Sequence, residues 1–216
     1  MALLIARHGE TALNVAGIVQ PADTALSPHG LQQADALGAR LAREYRVTAI
    51  VTSDLARARQ TAEQVARHLQ RSVDTSPDWR ERNFGALRGR AYASLDFNPI
   101  TMIEAPPEGE SLAQFEARVA DACARLAARV SQSSQAPADR LADPGDVLLV
   151  THGLVVRRLL AAHIEGGAAS VRAGPPANAS LVVAEVIDGR LQLALGPCTA
   201  HLARLPPQAR DGVIGL

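Results

Sequence analysis

Three short apolar runs, each with helical periodicity behind it, constrain this chain more than any other feature. Residues 2–6 (ALLIA), 47–52 (VTAIVT) and 147–151 (VLLVT) are the kind of run expected of strands buried on both faces. Behind LSPHG, Ser27 supplies a cap and Pro28 a first helical residue. Leu31, Ala34, Leu37, Leu41 and Tyr45 then recur on one helix face. A second stripe, entered through Ser53, runs Leu55, Ala58, Ala62, Val65 and Leu69. Ser111 and Gln114 form a capping box ahead of a third, Leu112, Phe115, Val119, Ala122, Leu126 and Val130. A fourth, shorter helix is predicted to begin near Leu154.

Strands alternating with helices imply the α/β class: a three-layer sandwich with a mostly parallel central sheet and helices on both faces. The end of the chain differs. In SLVVAEVIDGRLQLAL two apolar segments flank Asp188 and Gly189, a hairpin signal that predicts antiparallel edge strands near the C-terminus. No internal repeat is visible, and 216 residues suffice for one sizeable core, so residues 1–216 read as a single domain. Residues 131–145 read as a polar surface loop and 205–216 as a loosely held tail.

Composition removes several function classes. Net charge is zero and only 3% of residues are aromatic, which leaves no basic stripe or stacking platform for nucleic acid. The sequence contains no Lys, so an Arg is ordinary here until its position makes it otherwise. Cys123 and Cys198 are far apart and suggest neither a zinc site nor a redox pair. No segment reads as a signal peptide or reaches bilayer-spanning length, so the expectation is a cytoplasmic protein without a membrane partner. A homodimer is compatible with all of this.

In an open parallel sheet, ligands bind beyond the carboxyl ends of the strands. Arg7, His8 and Gly9 follow one predicted strand and Thr151, His152 and Gly153 follow another, so both histidines are expected at one crevice. Gly9 would allow close backbone approach of a ligand, and the helix near Leu154 would aim free amides at it. Arg57 would join Arg7, two planar forks suited to phosphoryl oxygens. One histidine at a strand end is ordinarily structural; the pair shifts the balance towards a site. His29, His68, His163 and His201 read as surface or packing residues, and metal ligation is not expected.

The segments LIARHGETALN, SDLARARQTAE, WRERNFGALRG, PPEGESL and LLVTHGLVVRRLL together resemble the histidine phosphatase superfamily, also called the phosphoglycerate mutase-like family. The resemblance runs from residue 3 to about residue 202, where NASLVV and His201–Leu202 are also similar. It implies a metal-independent phosphomonoester hydrolase of small phosphorylated metabolites that forms a phosphohistidine and needs no cofactor. His8 would be the nucleophile, attacking in its neutral form. Arg7, Arg57 and a protonated His152 would hold the phosphoryl oxygens, with Asn14 as a neutral donor and Gly153 in the same pocket.

Glu81 occupies the family's acid position and would protonate the leaving alkoxide, its proton affinity raised by the phosphate dianion. The rival reading is a solvated Glu between Arg80 and Arg82, and Glu10, Glu108 and Glu110 are competing acids. Residues 104–111 read equally as part of the entrance and as a plain connector. The chain departs from the family pattern at Ile18, often Arg, and at Pro21, often Gly, and FGALRG resembles the mutase wording more than the phosphatase version, which usually carries an extra Glu before the last Gly. Of Arg80, Arg82, Arg88 and Arg90, some would receive a second anionic group of the substrate and most would be solvated. The alternatives are a cofactor-dependent phosphoglycerate mutase and, ranked lower, a non-catalytic binder of phosphorylated ligands or a protein partner.

Overall fold

A computed structural model describes residues 1–134 and 145–205. The three apolar runs are strands β1 (Ala2–Arg7), β2 (Val47–Ser53) and β4 (Asp146–Thr151) of one six-stranded sheet. Its order is β3-β2-β4-β1-β5-β6, where β3 is Val73–Ser76, β5 is Leu181–Ile187 and β6 is Arg190–Cys198. The pairs β1–β4, β4–β2 and β2–β3 are parallel, and β1–β5 and β5–β6 are antiparallel.

Side chains alternate across this sheet, so β1 feeds two cores. Leu3 and Ile5 join a cluster with α4 (Leu112–Ser134) and α5 (Gly153–Ala162), including Phe115, Val119, Leu126, Val155 and Leu159. Ala2, Leu4 and Ala6 join the opposite cluster with α2 (Pro28–Glu44) and α3 (Ala56–Leu69), through Leu37, Leu41, Ala58 and Val65. This is the three-layer arrangement the alternating pattern demands. The hairpin turns at Asp188 (φ 49°) and Gly189 (φ 75°), both left-handed, as a two-residue turn matched to strand twist requires.

Several local expectations are corrected. Leu31 is 44% exposed although the stripe assigned it to the core. The start of α2 lies on the loop leaving β1: a Cβ at Gly30 would stand 2.0 Å from the Glu10 carbonyl oxygen, and one at Gly9 2.5 Å from that of Gly30. This backbone contact sets the roll of the helix, and Gly30 and Gln33 rather than Leu31 face inward. Gly9 is thus required by the neighbouring helix. Ser27 does cap α2, accepting from the Gly30 amide. Ser53 is not the cap of α3, which starts after Leu55. The helix α4 continues through residues 131–134 of the expected loop; residues 135–144 of that loop and 206–216 of the expected tail lie outside the described residues. Both cysteines are free.

Candidate active site

Sheet register assembles the centre. Arg7 pairs with Thr151 across β1 and β4, so one step further along each strand sets His8 beside His152. Their rings lie 5.2 Å apart between centroids, tilted by 60°. The His8 amide donates to the Thr151 carbonyl at 2.8 Å. All four inner residues are buried: Arg7 4%, His8 2%, Arg57 3% and His152 0% exposed. A cavity over the strand ends is lined by Arg7, His8, Asn14, Arg57 and Glu81, and further out by Arg88 and Tyr92.

Each inner side chain is held by a backbone acceptor or a hydroxyl. The Arg7 Nη1 donates to the Pro176 carbonyl at 2.7 Å, and the Arg57 Nη1 to that of Pro21 at 3.1 Å. The Nε atoms of both arginines are buried and without a partner among the described residues. Burial lowers both guanidinium pKa values to about 10, with Glu81 opposing the shift, so both stay charged at neutral pH.

His8 Nδ1 lies 2.6 Å from the Gly9 carbonyl oxygen. A carbonyl only accepts, so Nδ1 carries the proton and Nε2 keeps the lone pair. Burial, then Arg57 and Arg7, push the His8 pKa well below the usual histidine range. Neutral imidazole is therefore the resting form. The same causes, with His8 added, push His152 down too. The protonated His152 expected from the sequence is not the form of the unliganded site. Its Nε2 meets Ser53 Oγ at 2.8 Å, while its buried Nδ1 has no partner among the described residues.

Glu81 reaches the cavity from the loop after β3. Its Oε1 accepts from the Arg82 amide and its Oε2 from the Leu154 amide, each at 3.1 Å. Burial raises the Glu81 pKa, against those two hydrogen bonds and the charges of Arg57 and Arg7. Desolvation thus acts in the same direction as the phosphate dianion invoked from the sequence. The second amide of α5, that of Leu154, is thereby committed to Glu81, and neither Gly153 nor the fully buried His152 is among the residues lining the cavity.

The rival acids are elsewhere. Glu10 accepts from Ser27 Oγ, Glu110 pairs with Arg118, and neither they nor Glu108 line the cavity. Residues 104–111 do not line it either; they buttress residues 82–86 from behind, through the Glu104, Pro107 and Glu110 carbonyls. The arginines of this stretch separate cleanly. Arg80 pairs with Asp54, and Arg82 donates to the Ile100, Glu104 and Glu110 carbonyls; Arg88 reaches the cavity. Ile18 bridges to Ala91 instead of facing the site.

Sequence reasoning missed the supporting residues. Asn178 donates to the His8 and Gly9 carbonyls and to Asn14 Oδ1, at 3.1, 3.3 and 3.2 Å. Asn14 Oδ1 is also used by the Thr11 amide, which fixes the carboxamide and leaves its NH2 to donate. The NASLVV segment carried the signal for Asn178, though not its role. No cluster of three or more His, Cys, Asp or Glu able to hold a metal occurs among the described residues. No helix among them is long and apolar enough to cross a membrane.

Buried His8 and His152 thus meet, with Arg7, Arg57 and the Glu81 carboxyl close by, at the strand ends of an α/β sandwich. The sequence profile of the histidine phosphatase superfamily (branch 1) matches residues 3–196, and the chain belongs to that family. It is 30% identical over 214 residues to the metal-independent phosphoserine phosphatase of Arabidopsis thaliana, across 93% of this chain and 83% of that protein. It is also 30% identical over 170 residues to the phosphoglycerate mutase-like protein 4 of Arabidopsis thaliana, 73% of this chain and 68% of that one. The solved structure of a mycobacterial glucosyl-3-phosphoglycerate phosphatase superposes with a TM-score of 0.73 at 29% identity, covering 91% of this chain and 98% of that one.

Proposed function

We propose that this chain hydrolyses phosphate monoesters of small metabolites through a phosphohistidine on His8, with no metal in the chemistry. Its family and its phosphatase relatives make it a phosphoric monoester hydrolase. The observation that carries the mechanism is the His8 ring, with Nδ1 held by the Gly9 carbonyl, in a cavity that Arg7 and Arg57 also line.

The His8 Nε2 lone pair attacks phosphorus as the bond to the ester oxygen breaks. Glu81 gives its proton to the departing alkoxide, and the alcohol leaves. Arg7 and Arg57 hold the phosphoryl oxygens and offset the charge spread over them in the transition state. Because they stand charged and oriented before substrate arrives, little reorganisation is needed. An incoming dianion reverses the field at His152 and favours a proton there, so its Nδ1 donates to the transferring group; the Asn14 NH2 adds a neutral donor. In the second half, the Glu81 carboxylate takes a proton from water, water oxygen attacks phosphorus, and the P–N bond breaks to return neutral His8. Inorganic phosphate is the second product.

The same reading expects a cytoplasmic enzyme, and one without a nucleic-acid partner on its zero net charge and 3% aromatic content. The test is hydrolysis of p-nitrophenyl phosphate with a chelator present. Chelator-insensitive turnover in the wild type and its loss in His8→Ala are expected; turnover that survives His8→Ala removes the nucleophile from its role. The mutase-like relative supports a second reading. Rapid 2-phosphoglycerate formation from 3-phosphoglycerate with a bisphosphate primer would favour it.

A further inference from the structure

The charge balance of the cavity deepens the phosphatase reading and rests on it. The two charges of a phosphate dianion are matched by Arg7 and Arg57, which line the cavity, and a proton that the dianion draws onto His152 is spent on the phosphoryl group itself. Arg82 also lines the cavity, but its guanidinium is spent on three carbonyls and sits in the field of Glu110 and Glu116. One positive charge is left over. Arg88 lines the same cavity, is exposed, and its side chain has no hydrogen-bond or ion-pair partner among the described residues. It is close enough to Arg57 for the two charges to repel. Glu81 is the only acidic side chain lining the cavity among the described residues, so nothing else there offsets Arg88.

The backbone beneath Arg88 is fixed. Its amide donates to the Gly85 carbonyl at 3.1 Å, and the next amide, of Gly89, donates to the Val19 carbonyl at 2.7 Å. Val19 donates back to the Arg90 carbonyl at 2.9 Å, and the Tyr92 amide donates to that of Gly17 at 2.8 Å. A long side chain on a pinned base thus lines the cavity together with Tyr92, Phe84 and Leu55.

We propose that Arg88 is a specificity-determining residue that binds a second anionic group, a carboxylate or another phosphate, on the leaving-group side of the substrate. The preferred substrates are then small acids phosphorylated on a nearby hydroxyl, or bisphosphates, rather than esters of neutral alcohols. A planar guanidinium takes a carboxylate or phosphate through paired hydrogen bonds, an interaction a neutral tail cannot replace.

The test compares phosphate release from 3-phosphoglycerate and glycerol 3-phosphate, which share a carbon skeleton and differ in the carboxylate. The wild type should favour 3-phosphoglycerate in kcat/KM by about tenfold or more, the low end expected of a charge-assisted hydrogen bond at a solvated position. Arg88→Gln should bring that ratio near one, Arg88→Glu should invert it, and Arg88→Lys should keep most of it. A wild-type ratio near one, or a high ratio unchanged in Arg88→Gln, overturns the assignment alone. No turnover of either ester or of p-nitrophenyl phosphate by the wild type would instead defeat the phosphatase reading and this proposal with it.

Discussion

The floor of the cavity and its outer wall are made from different backbone, and they read different parts of a substrate. The floor is strand ends: Arg7 and Thr151 in register, His8 and His152 one residue beyond, and every side chain buried and tied to a carbonyl or hydroxyl. The wall is irregular chain with short 3-10 turns at Gly85–Leu87 and Tyr92–Ser94, carrying Glu81, Arg88 and Tyr92. A sheet gives little latitude in placing a phosphoryl group, whereas a loop can present different side chains to whatever is attached to it. On the proposed reading the floor holds the phosphoryl group, while the wall meets the leaving group, Glu81 protonating it and Arg88 selecting it.

Substitutions that separate the two regions put this division at risk. The largest effect belongs to the floor: His8→Ala should lower kcat/KM for every phosphate ester by about four orders of magnitude or more, as loss of a covalent nucleophile does. A loss below tenfold would mean the floor does not carry the covalent step.

Glu81→Gln probes the wall. Alkyl phosphates should lose about 10²–10⁴ in rate, whereas p-nitrophenyl phosphate, whose leaving group needs little protonation, should lose only a few-fold. Equal losses would reassign the acid. The wild type gives the same signal through pH. Burial raises the Glu81 pKa, and only the protonated form donates, so alkyl ester turnover should fall as pH rises through that raised value. That alkaline limb should be absent with the aryl ester. Because the His8 pKa is pushed down, loss of the neutral nucleophile should begin only well below the usual histidine range.

Arg57→Gln returns to the floor with a smaller effect, about 10² in kcat/KM, and should weaken competitive inhibition by inorganic phosphate and vanadate. Unchanged inhibition would remove Arg57 from the phosphate pocket. Smallest is Ser111→Ala, behind the wall. Ser111 Oγ accepts from the Gln114 amide at 3.1 Å, and its own amide donates to Gln114 Oε1 at 2.9 Å. Loss of this cap should cost about 1 kcal/mol and lower Tm by about 2–4 °C with KM unchanged. A shift in KM would restore residues 104–111 to the entrance.

The sequence disclosed the floor better than the wall, for a physical reason. Buried parallel strands must be apolar throughout, so β1, β2 and β4 stand out, and their ends locate Arg7, His8 and His152 without further information. The Asp188–Gly189 turn is equally plain because its left-handed backbone selects its residues. Edge strand β3, VDTS, is short and mostly polar and has no such signature. The wall is harder because Arg80, Arg82, Arg88 and Arg90 look alike in a chain whose only strong cations are arginines. Only packing reveals that one pairs with Asp54, one clamps carbonyls and one faces the cavity. Long-range constraints were hidden for the same reason: Gly30 against Glu10 turned Leu31 outward, and Asn178 braces His8 from 170 residues away.

The most direct measurement is the covalent intermediate itself. Enzyme quenched during turnover of p-nitrophenyl phosphate, then digested and mapped by mass spectrometry, should carry one acid-labile, base-stable phosphoryl group on His8, and none in His8→Ala. A phosphoryl group on another residue, or none under conditions in which a phosphohistidine standard survives, would contradict the account.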